Sequence, residues 1–216
     1  MKTNALLAEF IGTTALIFIG AGAAAVGVGG LVGVALAHGL VVAGMAYTYG
    51  PISGAHINPA VTFAIALSGK LAWKEAAGYW LVQLAGGVFG AGLLFVVLGG
   101  ASSGLGATLP AEGVSLTQAI LLEATLTFLL VNAILHTAVR EPASPQAGLA
   151  IGLTLIALIL MGGPLTGASL NPARSFGPAL FTGSLDLFWL YILGPALGAA
   201  LAALVYRVLD ADEAIH

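Results

Sequence analysis

The chain has 216 residues, 59% of them hydrophobic and only 7% charged, with a formal net charge of −3 at pH 7 and a mean hydropathy of +1.06. A soluble domain carries about 25% charged residues, so that class is excluded. A membrane β-barrel is excluded too, because the apolar runs do not alternate polar and apolar side chains. With no cysteine in the chain, disulfides and thiolate metal sites are ruled out.

What remains is a bundle of helices in a bilayer. A hydrocarbon core of about 30 Å takes about 20 apolar residues per helix. Six segments of that kind lie along the chain, at roughly 4–28, 32–51, 73–99, 115–139, 146–163 and 186–208. The first is too long for a signal peptide and lacks a polar cleavage region, so it reads as a retained span. Residues 1–216 therefore form one transmembrane domain. Its 31 glycines suit such a bundle, since small residues let helix backbones approach closely in lipid. Gly86, Gly87 and Gly90 fall near one face of the third span, Gly194 and Gly198 near one face of the sixth, and packing is the preferred reading of both.

Two further segments are too short to span. The first follows the second span, in His56-Ile57-Asn58-Pro59-Ala60-Val61-Thr62-Phe63. The other follows the fifth span, in Ser169-Leu170-Asn171-Pro172-Ala173-Arg174-Ser175-Phe176. Asn is a favoured helix cap and Pro suits the first helical position. Each stretch thus predicts a short helix, about 58–68 and 171–181, with Asn at its positive end. Irregular backbone at membrane depth is tolerated only against protein or a water-filled cavity, so these are expected to be re-entrant half-helices.

The two stretches lie 113 residues apart, counted from Asn58 to Asn171. Glu9-Phe10-Ile11-Gly12-Thr13 in the first span answers Glu123-Ala124-Thr125-Leu126-Thr127 in the fourth. The repeats cover about 1–99 and 115–210. Three spans per repeat is odd, so the halves must lie in opposite orientations. That inverted design puts a site near the midplane, at the repeat interface. Lys2, Lys70, Lys74, Arg140 and Arg207 all fall on one side of a six-span topology, Arg174 alone does not, and the positive-inside rule then puts both termini in the cytoplasm. The external loop at about 100–114 carries no usable motif.

The twin Asn-Pro-Ala boxes, Ser53-Gly54-Ala55-His56-Ile57-Asn58-Pro59-Ala60-Val61-Thr62 and Asn171-Pro172-Ala173-Arg174-Ser175-Phe176-Gly177-Pro178-Ala179, resemble those of the aquaporin (major intrinsic protein) family over nearly the whole chain. The resemblance implies an all-α membrane protein with six transmembrane helices and two re-entrant half-helices. It also implies a homotetramer with one narrow pore per subunit, passing water or small uncharged solutes and blocking ions and protons. No cofactor, metal, catalytic residue or nucleic-acid partner is expected. The expected location is the inner or plasma membrane, with the lipid bilayer as surroundings.

Asn58 and Asn171 are expected to point their NH₂ groups into the pore from opposing helix tips, where the helix dipoles hold a passing oxygen as acceptor. The alternative is a pair of capping asparagines in buried loops. Arg174 is a charge inside a membrane protein, which by default marks function. It matches the family arginine of the external constriction, against the alternative of an arginine snorkelling to the interface. Glu9 and Glu123 match family glutamates that accept loop N–H groups, with a proton relay as the other reading.

By the same resemblance the selectivity filter is His38, Ile159, Ala168 and Arg174. Strictly water-selective members usually carry Phe and His where this chain has His38 and Ile159. The set resembles that of plant vacuolar-membrane aquaporins, which are associated with ammonia, urea and peroxide as well as water. The alternative is a His38 that makes a helix contact beside a water-only pore. Ser175 stands where glycerol-conducting relatives typically have Asp, and together with Ala179 it favours the water branch. Tyr191-Ile192 departs from the aromatic pair usual in water channels.

His56 is expected to bond loop backbone near the cytoplasmic vestibule, with a gating role as the other reading, His136 to be a helix-packing or interface residue, and His216 to be a tail residue. An intramembrane enzyme would need paired acids or a nucleophile–base pair facing one cavity, and Glu9 and Glu123 lie beside no such partner. A secondary transporter would want ion-coordinating carboxylates at its helix breaks, where this chain carries Asn and Arg. A glycerol facilitator of the aquaglyceroporin type is the rival reading within the family.

Overall fold

A computed structural model describes residues 2–27 and 29–213. Among the described residues, six apolar helices are long enough to cross a membrane: Thr3–Val26, Gly30–Ser53, Trp73–Val97, Leu116–Val139, Ala147–Thr166 and a sixth running Leu190–Glu213. Two half-helices, Pro59–Leu67 and Pro172–Thr182, follow the second and fifth spans. All eight predicted helices are present. The sixth span, placed at 186–208 from sequence, shifts at both ends, its start by four residues and its end by five. Residues 185–190 instead turn through three-residue bonds, Phe188 N–H to Leu185 O and Leu190 N–H to Leu187 O, before the helix begins. His216 lies outside the described residues.

The spans pack as the inverted repeat requires. The third lies along the first and the sixth along the fourth, while the second and fifth pair across the middle. Glycines make these approaches. A Cβ on Gly86 or Gly90 would stand 2.5 and 2.8 Å from the carbonyl oxygens of Phe10 and Thr14. In the other half, Gly194 and Gly198 sit likewise over the turn carrying Ile120 and Ala124. Gly39 and Gly152, also 113 residues apart, each face the other's carbonyl oxygen, so the pseudo-two-fold axis passes between them. The packing reading of these glycines is correct.

The second and fifth spans end alike. Gly54 (φ 88°) and Gly167 (φ 81°) are left-handed caps whose N–H groups bond Gly50 O and Gly163 O at 2.9 and 3.0 Å. Glycine takes that conformation without a steric cost. In each case a proline, Pro51 or Pro164, lies just inside the last turn. The half-helices dock inward. Ala60, Val61, Ala64 and Ile65 pack against Val131, Leu135, Ala199, Ala202 and Tyr206. Large apolar side chains such as Leu81, Val96 and Val208 are 71%, 76% and 64% exposed, the outward distribution of a protein solvated by lipid.

The second half-helix is seated directly on the third span. A Cβ on Gly87 would lie 2.5 Å from Ala173 O, and Gly177 faces Gly87 O in turn. Gly87→Val is therefore expected to destabilise the fold by about 3 kcal/mol, the upper range for overpacking a tight contact. Thermal unfolding of detergent-solubilised protein measures this, and an unchanged midpoint would mean the contact is looser than drawn.

Candidate functional site: the paired half-helices and the constriction

The site is assembled from two loops, 54–58 and 167–171. In each, non-glycine residues take left-handed backbone in matching places: Ala55 (φ 48°) and Ile57 (φ 43°), Ala168 (φ 43°) and Leu170 (φ 56°). Such residues rarely adopt this region, and two buried acids explain why they do here. Glu9 accepts from His56 N–H at 2.9 Å and Ile57 N–H at 2.6 Å, and also from Ser53 Oγ at 2.7 Å and Gln83 Nε2 at 2.8 Å. Glu123 accepts from Ser169 N–H at 3.0 Å, Leu170 N–H at 2.8 Å and Thr166 Oγ1 at 2.7 Å. A trans peptide sets its C=O opposite its N–H. Drawing the amides of 56, 57, 169 and 170 toward the acids thus turns the carbonyls of Ala55, His56, Ala168 and Ser169 the other way. All four of those residues line a cavity of about 550 Å³.

The asparagines do two jobs each. Asn58 Oδ1 accepts from Ala60 N–H at 2.8 Å, and Asn171 Oδ1 from Ala173 and Arg174 N–H at 3.0 and 3.3 Å, so both cap their half-helices. Their amide groups cross over. Asn58 Nδ2 donates to Leu170 O at 2.8 Å, and Asn171 Nδ2 to Ile57 O at 2.9 Å. Each NH₂ has two protons, and one is committed to the opposite loop. The second is left for the cavity, which both asparagines line.

The cavity runs from the end bearing Lys70 and Glu141, past the two asparagines, to His38, Ile159, Ala168 and Arg174. The structure thus brings all four predicted filter residues to one end of one cavity. Arg174 is 3% exposed and donates Nη1 to the carbonyl of Gly106, while its Nε has no partner among the described residues. His38 is 4% exposed. Its Nδ1 lies 2.9 Å from Val34 O, which can only accept, so Nδ1 carries the proton. In the neutral ring Nε2 is then a bare acceptor, and it too is unpartnered. A hydrogen-bond donor and an acceptor, with apolar Ile159 and small Ala168, line the same passage.

Several residues behave differently from expectation or were not foreseen. The ring of His56 does not bond loop backbone. Thr62 Oγ1 spends its own proton on Asn58 O at 3.1 Å and lies 3.1 Å from His56 Nδ1, which is therefore the donor. Ser175 is turned into a hydroxyl chain, 2.6 Å from Thr108 Oγ1 and 2.6 Å from Ser169 Oγ, which itself donates to Asn171 O at 2.9 Å. Tyr191 is buried and donates to Thr166 O at 2.7 Å, whereas Ile192 is 46% exposed on the outer face. His136 packs edge-on to Tyr206 at 5.3 Å, a helix contact as expected. Gly106 and Thr108 lie in the 100–114 loop, which showed no motif, yet they hold Arg174 and Ser175. Nothing in their own spacing announced this. The Gly54/Gly167 and Ala55/Ala168 pairs could have been found from the 113-residue offset.

Two half-helices meeting at their capped N-termini inside a six-span bundle, with one cavity passing both tips, define a membrane channel of the re-entrant type. The chain belongs to the major intrinsic protein family, whose model matches residues 1–206. Aquaporin Z of Rhodopseudomonas palustris is 40% identical over 230 aligned residues, covering 98% of this chain and 95% of that one. Glycerol uptake facilitator protein-like 6 of Lactiplantibacillus plantarum is 39% identical, covering 96% and 98%. The X-ray structure of the aquaglyceroporin from Plasmodium falciparum superposes with a TM-score of 0.84 at 25% identity, over 94% and 95% of the two chains. Relatives named for water and for glycerol are thus similar to this chain to much the same degree. It is a passive channel and not an enzyme.

The carboxyls are the part of the site most easily tested. Glu123→Gln would set an NH₂ against loop N–H groups, leaving a buried donor unmet at a cost of about 3 kcal/mol. We expect an earlier thermal unfolding in detergent together with loss of selective flux in proteoliposomes. Wild-type behaviour in both would show that the loop is held by something else.

Proposed function

We propose that the protein is a passive water channel that also passes small neutral solutes such as ammonia, urea or hydrogen peroxide, and that excludes ions and protons. The observation that carries this reading is the convergence of His38, Ile159, Ala168 and Arg174 on one end of the cavity that passes Asn58 and Asn171. Pro59, Ala60, Pro172 and Ala173 form the first turns of the half-helices and aim the asparagines. A water at the midplane receives the free N–H of each asparagine while both helix N-termini face it. It is held as an acceptor from both sides, so it cannot hand a proton along the file. A cation meets two positive helix ends and then Arg174.

At the constriction, Arg174 donates and His38 Nε2 accepts, a pairing that suits molecules able to do both, such as water, ammonia and urea. Ile159 and Ala168 add an apolar wall with little bulk. The channel is proposed to be a homotetramer in the inner or plasma membrane, with both termini cytoplasmic, the latter supported by the Lys70 end of the cavity and the positive-inside rule. The filter is read as similar to that of plant vacuolar-membrane aquaporins. The second reading, a glycerol facilitator, is favoured by the facilitator and aquaglyceroporin relatives. Ser175 weighs against it.

Stopped-flow light scattering on proteoliposomes, with water, ammonia, urea and glycerol in one preparation, separates the two. Fast water with ammonia or urea is expected, and glycerol outrunning water would move the channel to the facilitator reading. Two variants probe the filter. Arg174→Ala removes bulk and charge and should admit larger solutes or cations, so a mutant with wild-type selectivity would take Arg174 out of the constriction. His38→Phe should lower ammonia and urea flux while sparing water, and unchanged solute flux would remove His38 from the pore wall.

A further inference from the structure

Leu16–Ala21 in the first span is wound as a π-helix, as is Leu135–Val139 in the fourth, a rare element that is frequent at functional sites. Two consecutive residues of the first-span turn back the two polar walls of the constriction. Gly20 lies against the imidazole of His38: a Cβ built there would stand 2.7 Å from Cδ2, 2.8 Å from Nε2 and 2.9 Å from Cγ. Ala21 lies against Gly106, where an added Cβ would fall inside 3.0 Å of the Ala21 backbone, and Gly106 is the residue whose carbonyl holds Arg174.

Buried glycines in this bundle meet either backbone or side chains. The atom nearest a Cβ on Gly86, Gly90 or Gly198 is a carbonyl oxygen of another span, whereas Gly12 and Gly22 lie against the side chains of Ile57 and Leu94. At Gly20 the three nearest atoms all belong to the imidazole of His38. That ring is tied by Nδ1 to Val34 O on its own helix and lines the cavity. The imidazole thus occupies the space a side chain at position 20 would fill.

We propose that Gly20 is a specificity-determining residue: by having no side chain it lets the His38 ring retreat into the first span, and so sets the width of the constriction and the size of solute it passes. This rests on the reading of His38 as a filter wall. A methyl group at position 20 would push the ring from 2.7 Å to at least 3.4 Å, where ordinary contact begins. With Nδ1 tethered, the ring yields toward the cavity.

The test measures water, ammonia and urea permeability of full-length protein in proteoliposomes, normalised to inserted channels. It compares wild type, Gly20→Ala, His38→Ala and the double variant. Gly20→Ala should lower the urea-to-water ratio about tenfold, the lower end of what one methyl group contributes in a size-selecting site. In the His38→Ala background the same methyl should change nothing, because no ring is left to displace. If Gly20→Ala fails to assemble, the double variant decides: recovery of assembly with the His38→Ala ratio supports the proposal. A folded Gly20→Ala with wild-type ratios would overturn it, as would a double variant that fails to assemble or departs from His38→Ala. If His38→Ala itself leaves every ratio unchanged, the filter reading has failed and the proposal falls with it.

Discussion

Backbone amides half-way across a bilayer have no water to bond, and leaving one unmet costs several kcal/mol. The two loops of this protein are enclosed among the six spans, and Glu9 and Glu123 meet the need. Both oxygens of each carboxyl accept. The left-handed loop residues, the outward turn of four carbonyls and the position of the half-helix tips all follow from where those oxygens sit. An acid that would be costly alone in such surroundings is stabilised by the donors the loops supply. A left-handed non-glycine residue costs about 1–2 kcal/mol, and a hydrogen bond to a charged group contributes about 1.5–3. The loop conformation is held against its own strain by bonds of comparable or greater strength.

The same arrangement divides labour between the faces of each loop. One face is spent on protein, through amides to acids and one asparagine N–H to the opposite loop. The other face is left unspent, as a file of carbonyls and the remaining asparagine N–H groups. A permeant molecule exchanges water's hydrogen bonds for these without the protein having to rearrange. Where His38 and Arg174 line the cavity, the logic repeats with side chains. Arg174 commits Nη1 to Gly106 and His38 commits Nδ1 to Val34, and each keeps a nitrogen with no partner among the described residues.

Much of the fold was legible because the bilayer constrains sequence so strongly. Runs of about 20 apolar residues mark spans, and the Asn-Pro pairs mark half-helix starts through cap and proline chemistry. Glu9 and Glu123 were visible as charges where none is expected. The convergence of His38, Ile159, Ala168 and Arg174 on one cavity follows from positions counted off two motifs. What stayed hidden has no periodic or compositional signature. The start of the sixth span was misplaced because Leu187, Phe188 and Trp189 are apolar like the helix they precede, and turns and helix are not told apart by hydropathy. The partner of His56 was misjudged, because a side chain one turn along the half-helix competes well with loop backbone. The π-helical turn of the first span is invisible in its residues, and Gly106 and Thr108 sit in a loop whose contacts are set only by the assembled bundle.

The crossed asparagines carry a consequence for how such a chain could arise. The loop of one half finishes the hydrogen bonds of the other, through Asn58 to Leu170 and Asn171 to Ile57. Neither half is self-sufficient: alone in a membrane, each would bury an unmet amide donor and an unmet carbonyl at its tip. A three-span precursor encoded by a single repeat could satisfy both only by meeting a copy of itself inserted upside down. Within one chain the exchange fixes both the one-to-one pairing of the halves and the opposed orientation that the contact demands.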